Sequence, residues 1–188
     1  MKKIVAVVGD SGIGNDRKKY QTAFETGKAL IQNGFRVLTG GMGGVMEAAL
    51  AGARAADGYR EGDTIAILPS FDSDNANVYA DIIIPTGLDL SRNVIVANAD
   101  AVVAIGGGAG TLSEIAMAWS LFRLIVAYDN VEGWGARLAG SRLDARERYV
   151  GADDKIFAVS TVQECMACLN EKMSFYSRRH HGIQNRKR

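Results

Sequence analysis

Three glycine-rich segments hold the residues best suited to handling an anion: Gly9-Asp10-Ser11-Gly12-Ile13-Gly14, Gly40-Gly41-Met42-Gly43-Gly44 and Gly106-Gly107-Gly108-Ala109-Gly110-Thr111. Glycine lets a backbone turn with positive φ and lets a ligand approach the chain closely. Each segment follows a short apolar run. A helix-like segment follows each in turn, and the free amides at a helix start favour negative charge. Thr111 is placed to cap its helix and to donate its hydroxyl to a phosphate oxygen. Glu114 has two readings. Thr111-x-x-Glu114 is a capping-box spacing, which the pattern favours, and a carboxyl at the mouth of a phosphate site can also act as a general acid or base. Arg92 is either a solvated surface arginine or a phosphate clamp. Glu47 is a cap-region acid or a ribose contact, and Met42 and Met46 read as packing residues. The first loop does not match the G-x-G-x-x-G spacing, and no Walker lysine follows any of the three, which argues against dinucleotide chemistry and NTP hydrolysis.

The elements that must position these residues alternate. Apolar strands are expected at Ile4–Val8, Phe35–Thr39, Thr64–Leu68, Asp81–Ile84, Ala101–Ile105, Leu124–Tyr128 and Ile156–Val159. Helices are expected at Lys18–Asn33, Val45–Asp57, Ser91–Ala99, Thr111–Phe122 and Thr161–Lys172, with a weaker signal at Gly135–Ala139. Continuous apolar strands alternating with helices predict an α/β fold: a doubly wound, Rossmann-like, mostly parallel sheet with helices on both faces. In such sheets ligands bind beyond the carboxyl ends of the strands, where all three glycine segments fall. Residues 1–173 read as one phosphate- or nucleotide-binding domain, and 174–188 as a basic, disordered tail.

Composition narrows the function classes. The chain has 188 residues, 47% hydrophobic and 23% charged, with a net charge of +1. Residues 178–188 carry five Lys/Arg and no acid, so the remainder is acidic by about four charges. That disfavours nucleic acid as the partner of the domain. The apolar start is cut off after Val8, too short for a signal peptide, and no run approaches the roughly 18 residues of a membrane span. The expected location is the cytoplasm. The two cysteines, Cys165 and Cys168, share one helix face and read as packed thiols, with redox or metal chemistry as the minor alternative and no closed zinc site. The nearly all-round apolar helix from Thr111 predicts deep burial or an interface between copies.

Gly106-Gly107-Gly108-Ala109-Gly110-Thr111-Leu112-Ser113-Glu114 resembles the P-G-G-x-G-T-x-x-E motif of the LOG ("lonely guy") superfamily, long mislabelled as lysine decarboxylases. Gly40 to Glu47 resembles that family's earlier glycine-rich segment, Gly9-Asp10-Ser11 its first loop, and Arg92 its arginine before the apolar strand. The resemblance implies that Gly107, Gly108, Gly110 and Thr111 hold phosphate, with Gly9, Ser11, Gly40, Gly41, Gly43 and Gly44 on the same edge. It implies that Arg92 and Glu114 serve cleavage of the N-glycosidic bond of a nucleoside 5′-monophosphate. It further implies a dimer or tetramer and no required cofactor. Three departures resemble a second branch, which includes molybdenum cofactor carrier proteins. Gly106 replaces the proline, Leu90-Ser91-Arg92-Asn93 replaces H-E-R-K, and the spacing from Arg92 to the turn is one residue shorter. For carriers of that branch the implied role is binding a pterin-linked phosphate, as in molybdenum cofactor, on the same edge without cutting it, and a bound nucleoside monophosphate is the other ligand expected of the chain.

Overall fold

The computed structural model describes residues 1–178. Seven strands alternate with helices, except that a loop joins the third to the fourth, in the order β1 (Ile4–Gly9), α1 (Arg17–Gln32), β2 (Arg36–Thr39), α2 (Val45–Arg54), β3 (Thr64–Leu68) and β4 (Ile82–Pro85). A 3-10 turn (Asp89–Arg92) then runs directly into α3 (Asn93–Ala97). After it come β5 (Ala101–Ile105), α4 (Ala109–Ser120), β6 (Leu124–Tyr128), α5 (Trp134–Leu138), β7 (Phe157–Val159) and α6 (Val162–Lys172). The sheet order is β4-β3-β2-β1-β5-β6-β7, and every pairing is parallel. This is the α/β, doubly wound, Rossmann-like architecture expected from the alternating pattern.

The strands alternate between two cores. Val5 and Val7 point into one, with Leu30 of α1, Leu50 of α2 and Leu169 of α6; Ala6 and Val8 point into the other, with Val96 of α3 and Ile115 and Trp119 of α4. Strand order reverses at β1, whose neighbours are β2 and β5. The crevice beyond the carboxyl ends of β1 and β5 is therefore the switch point where doubly wound sheets place ligands. Gly9 ends β1, and Gly106 follows β5 directly.

Four expectations are corrected. The segment from Ser91 is not one helix: residues up to Arg92 form a 3-10 turn, and α3 is only five residues long. The helix expected from Thr111 starts two residues earlier, at Ala109. β4 is an exposed edge, with Ile82, Ile83 and Ile84 each 36–44% exposed, because it ends the sheet beside β3. The expected tail begins as ordered chain. Residues Phe175–Ser177 form a 3-10 turn, and Tyr176 is buried, its hydroxyl 2.7 Å from Asp154. The Asp154 carboxylate also pairs with buried Arg148, which stacks on Trp119. The rest of the expected tail, 179–188, lies outside the described residues. Among the described residues no helix is long and apolar enough to cross a membrane.

Candidate functional site

The turn after β5 is two different things in sequence. Its first half is buried structure. Gly106 and Gly107 have φ of +63° and +98°. A Cβ on Gly107 would overlap the Thr111 side chain. The Gly106 carbonyl accepts from the Gly135 amide at 2.8 Å, and the Gly107 carbonyl from the Trp134 amide at 2.9 Å. The Gly107 amide donates to the Asp10 carboxylate at 2.9 Å. Proline holds φ near −65°, so the proline of the LOG motif could not adopt the backbone path that Gly106 takes here.

The second half is open. Gly108, Ala109 and Gly110 are exposed, and nothing lies within 4 Å of a Cβ built on Gly108 or Gly110. Gly108 is the N-cap of α4 and offers no side-chain cap. Ala109, Gly110 and Thr111 fill the first helical turn, whose amides have no acceptor inside the helix. Thr111 is thus the third helical residue, not the cap. The Thr111–Glu114 capping box expected from spacing does not form.

Glu114 turns instead toward Arg92, its Oε1 3.4 Å from the Arg92 Nη1. Both side chains are buried, at 9% exposure or less. Burial pushes the Glu114 carboxyl up to about 7, with the Arg92 charge pulling the other way. Burial likewise lowers the pKa of the Arg92 guanidinium, opposed by Glu114. Arginine stays cationic at neutral pH even so. The 3-10 turn and α3 bring Arg92 to this point, and Gly40 makes room for it. A Cβ on Gly40 would overlap both terminal guanidinium nitrogens and crowd the Met46 sulfur.

These groups enclose a cavity of about 380 Å³ lined by Gly9, Asp10, Ser11, Gly12, Met42, Met46, Leu90, Arg92, Asn93, Gly108, Ala109, Gly110, Thr111 and Glu114. The structure brings together Gly9, Ser11, Arg92, Gly108, Gly110, Thr111 and Glu114. It leaves Gly40, Gly41, Gly43 and Gly44 off the cavity wall. Gly41, at φ +76°, packs against Ala66 and Leu68, and Gly44, at φ +67°, packs against the Asp10 backbone. Gly107 lies behind the wall. Met42 and Met46, read as packing residues, line it. Glu47 faces a separate groove of about 660 Å³ beside the start of α1, lined also by Arg17, Tyr20 and Gln21. The groove is larger, but Arg92, Glu114 and the open amides of α4 all belong to the smaller cavity.

Three residues here were not singled out in the sequence. Asp10 reaches across to Gly107, Lys19 Nζ pairs with Asp10 at 2.9 Å, and Asn93 donates to the Ser113 hydroxyl at 2.8 Å. Asp10 carried a visible signal, an acid inside a glycine loop at a strand end. Lys19 carried none. Away from the cavity, burial raises the thiols of Cys165 and Cys168 to about 12 and about 11. Both are protonated at neutral pH, which leaves them as packed thiols.

The Rippkaea orientalis molybdenum cofactor binding protein has a similar structure, at 31% identity and a TM-score of 0.74, covering 91% of this chain and 97% of that one. The molybdenum cofactor carrier protein of Chlamydomonas reinhardtii matches at 26% identity and a TM-score of 0.72, covering 93% and 99%. An uncharacterised protein of Archaeoglobus fulgidus is 41% identical over 113 residues, which are 59% of this chain and 72% of that protein. The model of the SLOG cluster4 family matches residues 2–166. With that span matched, and with the glycine turn, Arg92 and Glu114 inside it, the chain belongs to the SLOG cluster4 family.

Proposed function

We propose that this protein binds and carries a phosphate-bearing small molecule, with molybdenum cofactor as the leading ligand, and does not cut it. The observation that carries this reading is the first turn of α4, where Ala109, Gly110 and Thr111, whose amides have no acceptor inside the helix, line a cavity that Arg92 also lines. Preorganised amides at a helix start, with a buried guanidinium nearby, suit a phosphate oxygen. Met42, Met46 and Leu90 supply an apolar wall for the rest of the ligand. A volume of about 380 Å³ is within the range of ligand pockets. The likeness to two proteins described as binding or carrying molybdenum cofactor supports the choice of ligand. The free thiols of Cys165 and Cys168 fit a reducing cytoplasm. Purified protein should retain ligand that mass spectrometry and molybdenum analysis identify. Failure to retain or bind molybdenum cofactor or any nucleoside monophosphate would sink this reading.

One observation favours a second reading, hydrolysis of a nucleoside 5′-monophosphate to base and ribose 5-phosphate. A carboxyl held near pH 7 beside the phosphate cradle is suited to protonating a leaving base. Incubation with a panel of nucleoside monophosphates, followed by chromatography for free base, separates the two. Base release that Glu114→Gln abolishes would establish the enzyme.

The protein is further proposed to self-associate. Leu88, Leu90, Val94 and Ile95 stand 39–73% exposed around the 3-10 turn and α3, next to an apolar groove that Met117 and Leu121 line. Light scattering should give a dimer or tetramer mass, and Val94→Glu should lower it.

A further inference from the structure

Asp10 joins three parts of the site. Its backbone carbonyl accepts from the Val45 amide at the start of α2, at 2.9 Å. Its carboxylate accepts from the Gly107 amide at 2.9 Å and meets Lys19 Nζ at 2.9 Å. One residue therefore ties the first glycine loop to the second and the third. Gly107 is the last clamped residue before the open amides of α4, so the acceptor that fixes its amide also sets where those amides point.

This arrangement has an electrostatic problem. Asp10 lines the same cavity as Thr111, and its carboxylate sits on the Gly107 amide just behind the wall, close enough for a bound anion to meet a second negative charge. Lys19 answers it. The ammonium of α1 sits on the carboxylate, and both side chains are mostly shielded, at 17% and 23% exposure. Lys19 does not line the cavity.

We propose that Asp10 and Lys19 form a charge-neutral latch on the anion cradle. Asp10 is a positioning residue that holds Gly107, and Lys19 cancels the Asp10 charge without touching the ligand. The proposal rests on the anion-binding reading above. It assigns the two residues different tasks, and the tasks separate by mutation. Asparagine at position 10 keeps an oxygen that can accept the Gly107 amide and removes the charge. Methionine at position 19 keeps the stem and leaves the Asp10 charge uncompensated.

Amide NMR titration with inorganic phosphate, followed at Thr111, tests the charge half. Lys19→Met should weaken phosphate binding about tenfold, as an uncompensated like charge at the edge of the protein would. D10N leaves the Lys19 ammonium uncompensated and should tighten phosphate binding several-fold, and D10N with K19M should return to the parent level, since no charge is then left in the pair. A loss that persists in the double variant would mean that Lys19 contacts the anion itself, and would overturn the latch. Hydrogen exchange at the Gly107 amide, without ligand, tests the positioning half. Asp10→Ala should speed it about tenfold or more and D10N should leave it protected. Unchanged exchange in D10A would overturn that half. If D10A does not fold, D10N decides: retained Gly107 protection with phosphate binding at least as tight as the parent's supports the latch, and loss of that protection or weaker phosphate binding overturns it. Absence of phosphate binding in the parent protein overturns the anion reading and the charge half with it, while the exchange result decides the positioning half independently.

Discussion

The chain contains the pattern Thr-x-x-Glu at the start of two helices, Thr111 to Glu114 and Thr161 to Glu164, and the two behave differently. Thr161 is an N-cap in extended conformation, its hydroxyl accepts from the Glu164 amide at 3.2 Å, and Glu164 reaches back to the Thr161 amide at 3.2 Å. That is a complete capping box. In the other copy, Gly106 and Gly107 turn the chain with positive φ and begin α4 before Thr111 is reached. Glu114 is moved past the first turn and onto the buried face, where its partner is Arg92. A pair of left-handed glycines thus converts a stabilising surface motif into a buried carboxyl beside an arginine.

The most severe way to break the contrast is Gly107→Ala. The backbone at φ +98° and the overlap with Thr111 both oppose a side chain, so a loss of about 3 kcal/mol or more is expected in urea denaturation. Next is the pH response of the two glutamates. Glu114 has a folded pKa of about 7, above its ordinary value of 4.5. A raised acid contributes stability that is fully present below the unfolded pKa and is lost as pH rises through the folded one. The parent should therefore lose on the order of 3 kcal/mol between about pH 4.5 and 7, and Glu114→Gln should flatten that slope in denaturation at several pH values. Glu164→Gln should leave the slope in place. Thr161→Ala should cost about 1 kcal/mol through the lost cap and leave phosphate affinity unchanged. Thr111→Val should do the reverse: stability within about 1 kcal/mol, because its hydroxyl caps no helix end, and phosphate binding several-fold weaker by NMR titration if that hydroxyl meets phosphate as proposed.

Strand and helix order were legible because the strands are continuous apolar runs and the helices keep a three- and four-residue apolar spacing. The doubly wound class followed from the handedness of the crossovers, while the order of the strands in the sheet was not read from the sequence. The exposure of β4 was not legible, since Ile82-Ile83-Ile84 reads like any buried strand and only its place at the sheet edge exposes it. In the site, Arg92 and Glu114 stood out by residue type and by resemblance. What spacing could not reveal was the helix start. The three glycines from 106 to 108 look equivalent in one dimension, and only the backbone separates the clamped pair from the open one. The second loop makes the same point. Gly40, Gly41, Gly43 and Gly44 resemble a ligand cradle, but Gly40 accommodates Arg92, and Gly41 and Gly44 serve packing. Lys19 and Arg148 lie in segments with no motif, and their roles depend on partners far away in sequence.

The titration point of Glu114 also has a thermochemical consequence. Burial pushes the Glu114 carboxyl up to about 7, so near neutral pH a fraction of the molecules carries its proton. An anion bound as proposed would favour the protonated form, so binding should draw a fraction of a proton from the surrounding buffer. The heat measured in a binding titration then includes the ionisation heat of that buffer. Repeating the titration in buffers with different ionisation enthalpies gives a straight line whose slope counts the protons taken up, and that line should be flat when residue 114 is a glutamine.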